Sequence, residues 1–142
     1  MATLNPYLGF IDNARAAMEF YQSVFGGELT VNSFAEYGAG AGPEGAKVMH
    51  AQLETPDGFV LMAADTPEGM EHRPGNNVSV SLSGDAGDGL DGYFAELAEG
   101  GTVTMPLEKQ LWGDVFGMCI DKFGTSWMVN VASPDNAAGA GS

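Results

Sequence analysis

Two histidines, His50 and His72, are the side chains of this 142-residue chain best suited to acid–base or metal chemistry. His50 lies in a run in which Met49, Ala51 and Leu53 alternate with polar residues. A period of two is typical of a β-strand, whose successive side chains point to opposite faces of the sheet. The polar members of the run are His50, Gln52 and Glu54. The sequence therefore predicts that His50 projects from the sheet face opposite to the one that packs.

Three interpretations are open for His50. It is a polar contact for a bound molecule, a metal ligand, or a solvated side chain. A metal site would require Gln52 and Glu54, joined by His72 or Asp114, and the spacing permits such a set without requiring it. The pattern favours the first interpretation, and if the protein is an enzyme, His50 is the candidate general base.

Cys119 is the only cysteine, so an internal disulfide is excluded and a reducing, cytoplasmic setting is expected. It lies in a strand-like run with no histidine or arginine beside it to lower the pKa of its thiol. We therefore predict a buried, inert thiol rather than a nucleophile.

The charge is strongly acidic, with 19 Asp and Glu against five Lys and Arg and a formal net charge of -14. Binding to nucleic acid or to anionic lipid depends on clustered basic residues, so neither is an expected partner. A run of about 18 apolar residues, as a membrane-spanning helix needs, is also lacking.

The order of elements is repeated. Each half of the chain has a strand, a helix ended by Gly-Gly, and three further strands, and residues 20–30 align without gaps over residues 94–104. The helix predicted after the Asp12-Asn13 cap carries apolar residues at helical spacing, and the last three strands are predicted at 102–105, 111–120 and 125–132. The pattern indicates a duplicated α+β module, with one helix covering one face of each small sheet.

Several motifs extend over residues 3–132: N-P-Y-L (5–8), A-M-E-F-Y (17–21), F-G-G (25–27), K-V-M-H-A (47–51), G-N-N-V (75–78), M-P-L-E-K (105–109), W-G (112–113) and D-K-F-G-T-S-W-M (121–128). Together they resemble the vicinal oxygen chelate superfamily, which includes glyoxalase I and the bleomycin-resistance proteins, and within it the PhnB-like branch. The resemblance implies an α+β fold of two βαβββ modules that pair into a curved, cup-like mixed sheet with the helices outside.

The same resemblance implies one domain over residues 1–132, with modules at about 3–66 and 75–132, commonly as a homodimer. Residues 133–142, rich in Ala, Gly and Ser, are predicted to be a disordered tail. The Gly-rich segment 35–46 is predicted to be a connection that is long enough to form a lid.

Metal-dependent relatives hold a divalent ion on one side chain from the first and one from the last strand of each module. Carried over to this chain, these positions are Pro6, Leu61 or Met62, Asn77 and Met128. Proline and leucine have no donor atom, and thioethers suit Cu(I) rather than Zn, Ni or Mg. We therefore expect no cofactor, and no inherited glyoxalase-type metal catalysis.

The favoured function is that of a metal-free protein that binds a small organic molecule in the cup. The alternative is a lyase, isomerase or dioxygenase with an unconventional metal or with His50 as the base. From strand parity and the resemblance together, the predicted ligand contacts are His50, Gln52, Asn77, Ser79, Trp112, Met128 and Asn130, with Leu8 and Phe10 also assigned to the inward face. For Trp112, stacking on a ligand and anchoring a core or dimer interface remain equally open.

Overall fold

Each half of the chain forms a four-stranded mixed sheet in which the first and last strands are parallel neighbours. The computed structural model describes residues 2–38, 43–67 and 69–134. The chain divides into two units, residues 1–74 and 75–142. The predicted disordered tail therefore falls largely outside the described residues, and so do residues 39–42 of the predicted lid.

The first unit has the sheet order β1-β4-β3-β2, with β1 and β4 parallel and the other pairs antiparallel. Its elements are β1 (Tyr7–Phe10), α1 (Ala14–Phe25), β2 (Glu28–Ser33), a 3-10 turn (Ala35–Tyr37), α2 (Pro43–Ala46), β3 (Val48–Glu54) and β4 (Val60–Asp65).

The second unit repeats this arrangement with the order β5-β8-β7-β6. Its elements are β5 (Val80–Asp85), α3 (Leu90–Ala98), β6 (Thr102–Lys109), β7 (Val115–Ile120) and β8 (Ser126–Ala132). The α+β class and the repeated order of strand, helix and three strands are confirmed. The pairing of the two modules into a cup stays a prediction.

One helix covers one face of each sheet, as the apolar spacing predicts. The buried residues of α1 are Ala14, Ala17, Met18, Tyr21, Val24 and Phe25. They pack against the alternate residues of β3 and β4 that are also buried, namely Val48, Ala51, Leu53, Leu61 and Ala63. In the second unit, Phe94 and Leu97 of α3 are buried together with Trp127 and Val129 of β8.

The start of α1 is fixed by Asp65 rather than by the predicted Asp12-Asn13 cap. Asn13 makes no side-chain capping hydrogen bond. Instead, Asp65, only 5% exposed, accepts hydrogen bonds from the backbone N–H groups of Ala14 and Val48, each at 2.9 Å. One carboxylate thus satisfies an unpaired donor at the helix N-terminus and joins the helix to the sheet.

The predicted strand over residues 111–120 is wrong at its start. β6 continues to Lys109, and Gln110 and Asp114 then close a turn in which the Gln110 N–H donates to the Asp114 carbonyl at 2.8 Å. Gly113 has a φ of +100°, which favours a turn over an extended strand. Pro106 is tolerated within β6 because this strand lies at the edge of the sheet and is irregularly paired there.

Both Gly-Gly motifs end a helix, and in both the second glycine touches the backbone of a neighbouring strand. A Cβ at Gly27 would overlap the Glu54 carbonyl oxygen and lie 2.8 Å from the Thr55 Cα. A Cβ at Gly101 would overlap the Ile120 carbonyl oxygen and lie 2.9 Å from the Asp121 Cα. Only glycine allows this approach without moving a strand.

We predict that Gly101→Ala lowers the free energy of unfolding by at least about 2 kcal/mol, because the new methyl group meets backbone atoms that cannot move independently. Gly92→Ala is the matched control, since a Cβ at Gly92 in α3 has nothing within 4 Å. It should stabilise the protein by about 0.5–1 kcal/mol through helix propensity. Urea unfolding of both variants tests this, and equal effects would contradict the close approach.

Candidate functional site

The polar side chains of the first sheet gather on the face opposite α1, which we call the His50 face. Its members are set by the register, because directly paired residues lie on the same face. Gln52 is paired with Met62 and Thr30, and Met62 with Tyr7; His50 is paired with Asn32. The His50 face therefore carries Tyr7, Gly9, Glu28, Thr30, Asn32, His50, Gln52, Glu54, Val60, Met62 and Ala64, and the predicted shared face of His50, Gln52 and Glu54 agrees with this register.

His50 is held between two polar neighbours. The Tyr7 hydroxyl lies 3.2 Å from His50 Nδ1, and Gln52 Oε1 lies 3.4 Å from His50 Nε2. The Tyr7 and His50 rings are 5.7 Å apart and inclined at 40°. An amide oxygen can only accept, so in its contact with Gln52 the His50 Nε2 is the donor, whereas the Tyr7 hydroxyl can either donate to Nδ1 or accept from it.

His72 reaches the same face from the loop after β4. A Cβ built on Gly9 would lie 3.9 Å from Cε1 and Nδ1 of the His72 ring, and Gly9 shares the parity of Tyr7 in β1. The Thr66 hydroxyl lies 3.3 Å from His72 Nδ1. Gly9 is paired with Ala64. The His72 ring thus lies over Gly9 on the His50 face.

The assignment of Leu8 and Phe10 to the inward face is wrong. Leu8 is paired with Ala63, which is paired with Ala51 on the face covered by α1, and Phe10 is only 4% exposed. Tyr7, which is 55% exposed, is the β1 residue that contacts His50. The parallel pairing of β1 with β4 determines which face each β1 side chain lies on, and the sequence Y-L-G-F alone does not predict that face.

Three of the predicted contacts of the second unit share the face opposite α3, which we call the Met118 face. Met118 of β7 is paired with Met128, Phe116 with Asn130, and the Ser79 and Ser126 hydroxyls are 2.8 Å apart. The Met118 face carries Ser79, Ser81, Ser83, Thr102, Met105, Glu108, Phe116, Met118, Ile120, Ser126, Met128 and Asn130. The register thus brings Ser79, Met128 and Asn130 together.

The other predicted contacts of the second unit lie at its margins. Asn77 is exposed and precedes β5, outside the strands. Trp112 lies in the turn between β6 and β7, is 58% exposed, and places its ring 6.3 Å from that of Phe116. Asp114, a candidate partner for His50 on sequence grounds, accepts hydrogen bonds from Asn130 Nδ2 at 3.0 Å and from the Ser133 N–H at 2.9 Å.

Comparison with known proteins shows the family to which the sequence is similar. Residues 3–129 match the family model described as the Glyoxalase/Bleomycin resistance protein/Dioxygenase superfamily. Protein YjdN of Escherichia coli K12 is 29% identical over 140 residues, covering 90% of this chain and 94% of its own.

Two solved structures extend the likeness to three dimensions. Protein PA1353 from Pseudomonas aeruginosa is 36% identical with a TM-score of 0.83, covering 94% of this chain and 99% of its own. The Bacillus cereus PhnB protein, described as a putative 3-demethylubiquinone-9 3-methyltransferase, is 28% identical with a TM-score of 0.74, covering 92% and 100%.

The donor atoms at the expected metal positions do not suit a hard divalent ion. The register identifies Met62 as the β4 residue on the His50 face, since Leu61 is buried on the α1 side. It offers a thioether, and its β1 neighbour is the phenol of Tyr7 rather than a carboxylate. In the second unit Met128 is paired with Ser81. Among the described residues, no group of three or more His, Cys, Asp and Glu is arranged to hold an ion.

The described part of the chain also has no helix long and apolar enough to cross a membrane.

Cys119 is buried, as predicted. It lies on the α3 side of β7, paired with Trp127, and has no exposed surface. Burial, together with the negative charge of Asp121, raises the pKa of the Cys119 thiol to about 11. Asp121 itself accepts hydrogen bonds from Trp127 Nε1 at 2.8 Å and from the backbone N–H groups of Phe123 and Thr125. A thiol with this pKa is a poor nucleophile at neutral pH.

We predict that this thiol makes stability fall in alkali. The unfolded chain releases the proton near pH 9 whereas the folded chain retains it until about pH 11, so the thiol's contribution is complete below pH 9 and lost as the pH rises to about 11. The free energy of unfolding should fall by up to about 2 kcal/mol more in the wild type than in Cys119→Ala. Urea unfolding at pH 8 and pH 10.5 measures the difference, and parallel losses in both proteins would contradict it.

Proposed function

Because the chain belongs to the Glyoxalase/Bleomycin resistance protein/Dioxygenase superfamily, we propose that it is a PhnB-like protein that binds a small organic molecule without a metal ion. The observation that carries the proposal is the hydrogen-bonded group of Tyr7, His50 and Gln52 on the face that α1 leaves uncovered. A homodimer of such chains is part of the proposal.

The His50 face offers a ligand both donors and acceptors. The contact between His50 Nε2 and Gln52 Oε1 is long, at 3.4 Å, and is therefore weak and readily exchanged for a carbonyl or hydroxyl oxygen of a ligand. The Gln52 amide would then be released to donate or accept in turn. The contact with Tyr7 at 3.2 Å would keep the imidazole oriented during this exchange.

A second function is supported by the same tyrosine. A general base needs a titratable partner that orients it or shares its proton, and Tyr7 places a phenol within hydrogen-bond reach of His50. To act as the base, His50 would accept the substrate's proton at Nε2 in place of its contact with Gln52, while its Nδ1–H donates to the Tyr7 hydroxyl oxygen; this would suit a lyase or isomerase that moves a proton without a metal ion. Loss of the imidazole distinguishes the two functions, since a binding protein keeps part of its affinity and an acid–base enzyme loses turnover.

The methyltransferase activity named in the description of the Bacillus cereus relative is not part of the proposal. Binding of a nucleotide-like methyl donor in α/β proteins relies on a Gly-rich turn between a strand and the N-terminus of a helix. In this chain the connection between β1 and α1, residues 11–13, contains no glycine, so the first unit has no such turn.

We predict that a bound ligand changes the NMR signals of His50. Because His50 and His72 are the only histidines, the imidazole carbon-bound protons give two resolvable sets of NMR signals. In a screen of small neutral amides, phenols and carboxylates, the compounds that bind should shift the signals of His50.

His50→Ala should weaken binding of such a compound by about tenfold, which is the cost of one or two hydrogen bonds. The melting temperature should change little, because His50 is only half-buried.

The matched control is Tyr7→Phe, which removes one hydroxyl and keeps the ring. It should weaken binding by less than His50→Ala and broaden or shift the His50 signals even without a ligand. A His50→Ala protein that does not fold would show instead that the histidine is structural. Turnover of any hit, abolished in His50→Ala, would replace the binding function with the enzymatic one.

We further predict that Ni, Zn, Mn and Fe(II) leave the melting temperature unchanged, because a ligand of the folded state alone must raise it. The protein for this test is purified without a histidine tag or chelators, and its metal content is measured beforehand. Stoichiometric metal that is lost in His50→Ala would overturn the metal-free proposal and direct attention to oxygenase and isomerase assays.

A further inference from the structure

Three methionines lie side by side across the Met118 face. Met118 of β7 is paired with Met128 of β8 on one side and with Met105 of β6 on the other. Directly paired residues have Cβ atoms about 4.5–5.5 Å apart, so neighbouring thioethers are in contact range. Met118 and Met128 are half-buried, and Met105 is 40% exposed. These three residues, which we call the methionine row, form a continuous thioether strip on the sheet.

Aromatic rings adjoin the methionine row. Phe116 lies two residues before Met118 on β7 and therefore on the same face, about 7 Å along the strand. The Trp112 ring, 6.3 Å from Phe116 and inclined at 60°, extends this apolar surface towards the turn. Ile120, 39% exposed, follows Met118 on the other side. Glu108 of β6 is paired with Phe116, so a carboxylate bounds the aromatic part of this surface on the β6 side. Within that boundary the surface consists of polarisable and adaptable side chains, with Ile120 as its one aliphatic residue.

Polar groups limit the width of this surface along β8. Met128 lies between Ser126, whose hydroxyl is 2.8 Å from that of Ser79, and Asn130, whose amide donates to Asp114. Residues two apart on a strand are separated by about 7 Å, so the apolar strip on β8 spans only about 14 Å between polar groups. A fused aromatic ring system fits within this width, with its polar substituents near the groups at either end.

We propose that the methionine row binds the planar aromatic part of an organic ligand. Sulfur atoms contact ring edges favourably, and methionine, with three rotatable bonds, adjusts to rings of different outline. Asn130 and the Ser79–Ser126 hydroxyl pair then meet polar substituents at the two ends of the ring system. This inference rests on the proposed function, since it names the chemical class of the molecule bound, and it predicts tolerance of several ring systems rather than selection of one.

The test uses the full-length protein with carbon-13 in the methionine methyl groups, titrated with 2-naphthol. A ring seated on the row shifts nearby methyl signals upfield, so the signals of Met105, Met118 and Met128 should move together and saturate. Met18, which is fully buried in α1, and Met70, which is 67% exposed, should not move. Decahydro-2-naphthol, of similar outline but saturated, should bind about tenfold more weakly, because it lacks the sulfur–ring contacts.

Two variants complete the test. Met118→Gln keeps the side-chain length and should weaken binding of 2-naphthol about tenfold, whereas Met70→Gln should leave it unchanged. If Met118→Gln does not fold, the pattern of methyl shifts in the wild type decides the question alone. Shifts confined to Met62, equal affinity for the saturated analogue, or no saturable binding would each overturn the inference.

The outcomes also separate this inference from the proposed function. Fragments that shift the His50 signals while 2-naphthol leaves the methionine row unmoved would overturn only the inference. Saturable shifts in the methionine row with no fragment response at His50 would support the aromatic subsite and count against the proposed His50 site.

Discussion

The close approach of a glycine to a neighbouring strand is the constraint on which both units depend. In each unit the helix ends and the chain turns at once into the next strand, and the second glycine of the pair lies against a backbone carbonyl at the end of another strand, Glu54 in one case and Ile120 in the other. A side chain there would push the returning strand away from the sheet. Because the return is so tight, the helix lies over one face only, and the other face is left for polar or thioether side chains.

The two units share this constraint but differ in the hydrogen bonds that their buried carboxylates make. In the first, Asp65 binds the N-terminus of α1 and the start of β3 through two backbone N–H groups. In the second, α3 begins after Gly89 without a side-chain cap, and the buried carboxylate is Asp121, which instead binds the Trp127 indole and the turn before β8. The duplicated module has therefore kept its topology while moving its buried charge from the helix to the hairpin.

The sequence predicted what depends on local periodicity. Alternation in β3 and β8 placed His50, Gln52, Met128 and Asn130 on the faces where the register has them, and helical spacing identified the buried face of α1. The sequence did not predict the features that depend on contacts between residues far apart along the chain. Tyr7 was missed because the orientation of β1, only four residues long, is set by its pairing with β4. Asp65 was missed as a cap because the residue that it binds is 51 positions away.

Loops account for the remaining differences. His72 lies in a loop whose sequence has no periodicity, so its position over Gly9 on the His50 face could not be predicted and is known only from the structure. The apolar pair Leu111-Trp112 reads as the continuation of a strand, yet the positive φ of Gly113 and the Gln110–Asp114 hydrogen bond make it a turn. Trp112 consequently stands beside Phe116 at the margin of the Met118 face instead of within β7.

The faces opposite the helices differ in chemistry between the two units more than the helix-covered faces do. On the covered faces aliphatic and aromatic residues pack against a helix in both units, because close packing admits few alternatives. The His50 face carries hydrogen-bonding groups of defined geometry, which discriminate strongly between ligands because an unmatched polar group is costly. The Met118 face carries flexible thioethers, which accept many shapes. Polar groups of fixed geometry favour selectivity and flexible thioethers favour tolerance, so the chemistry of each face follows from its own side chains rather than from the topology that the two units share.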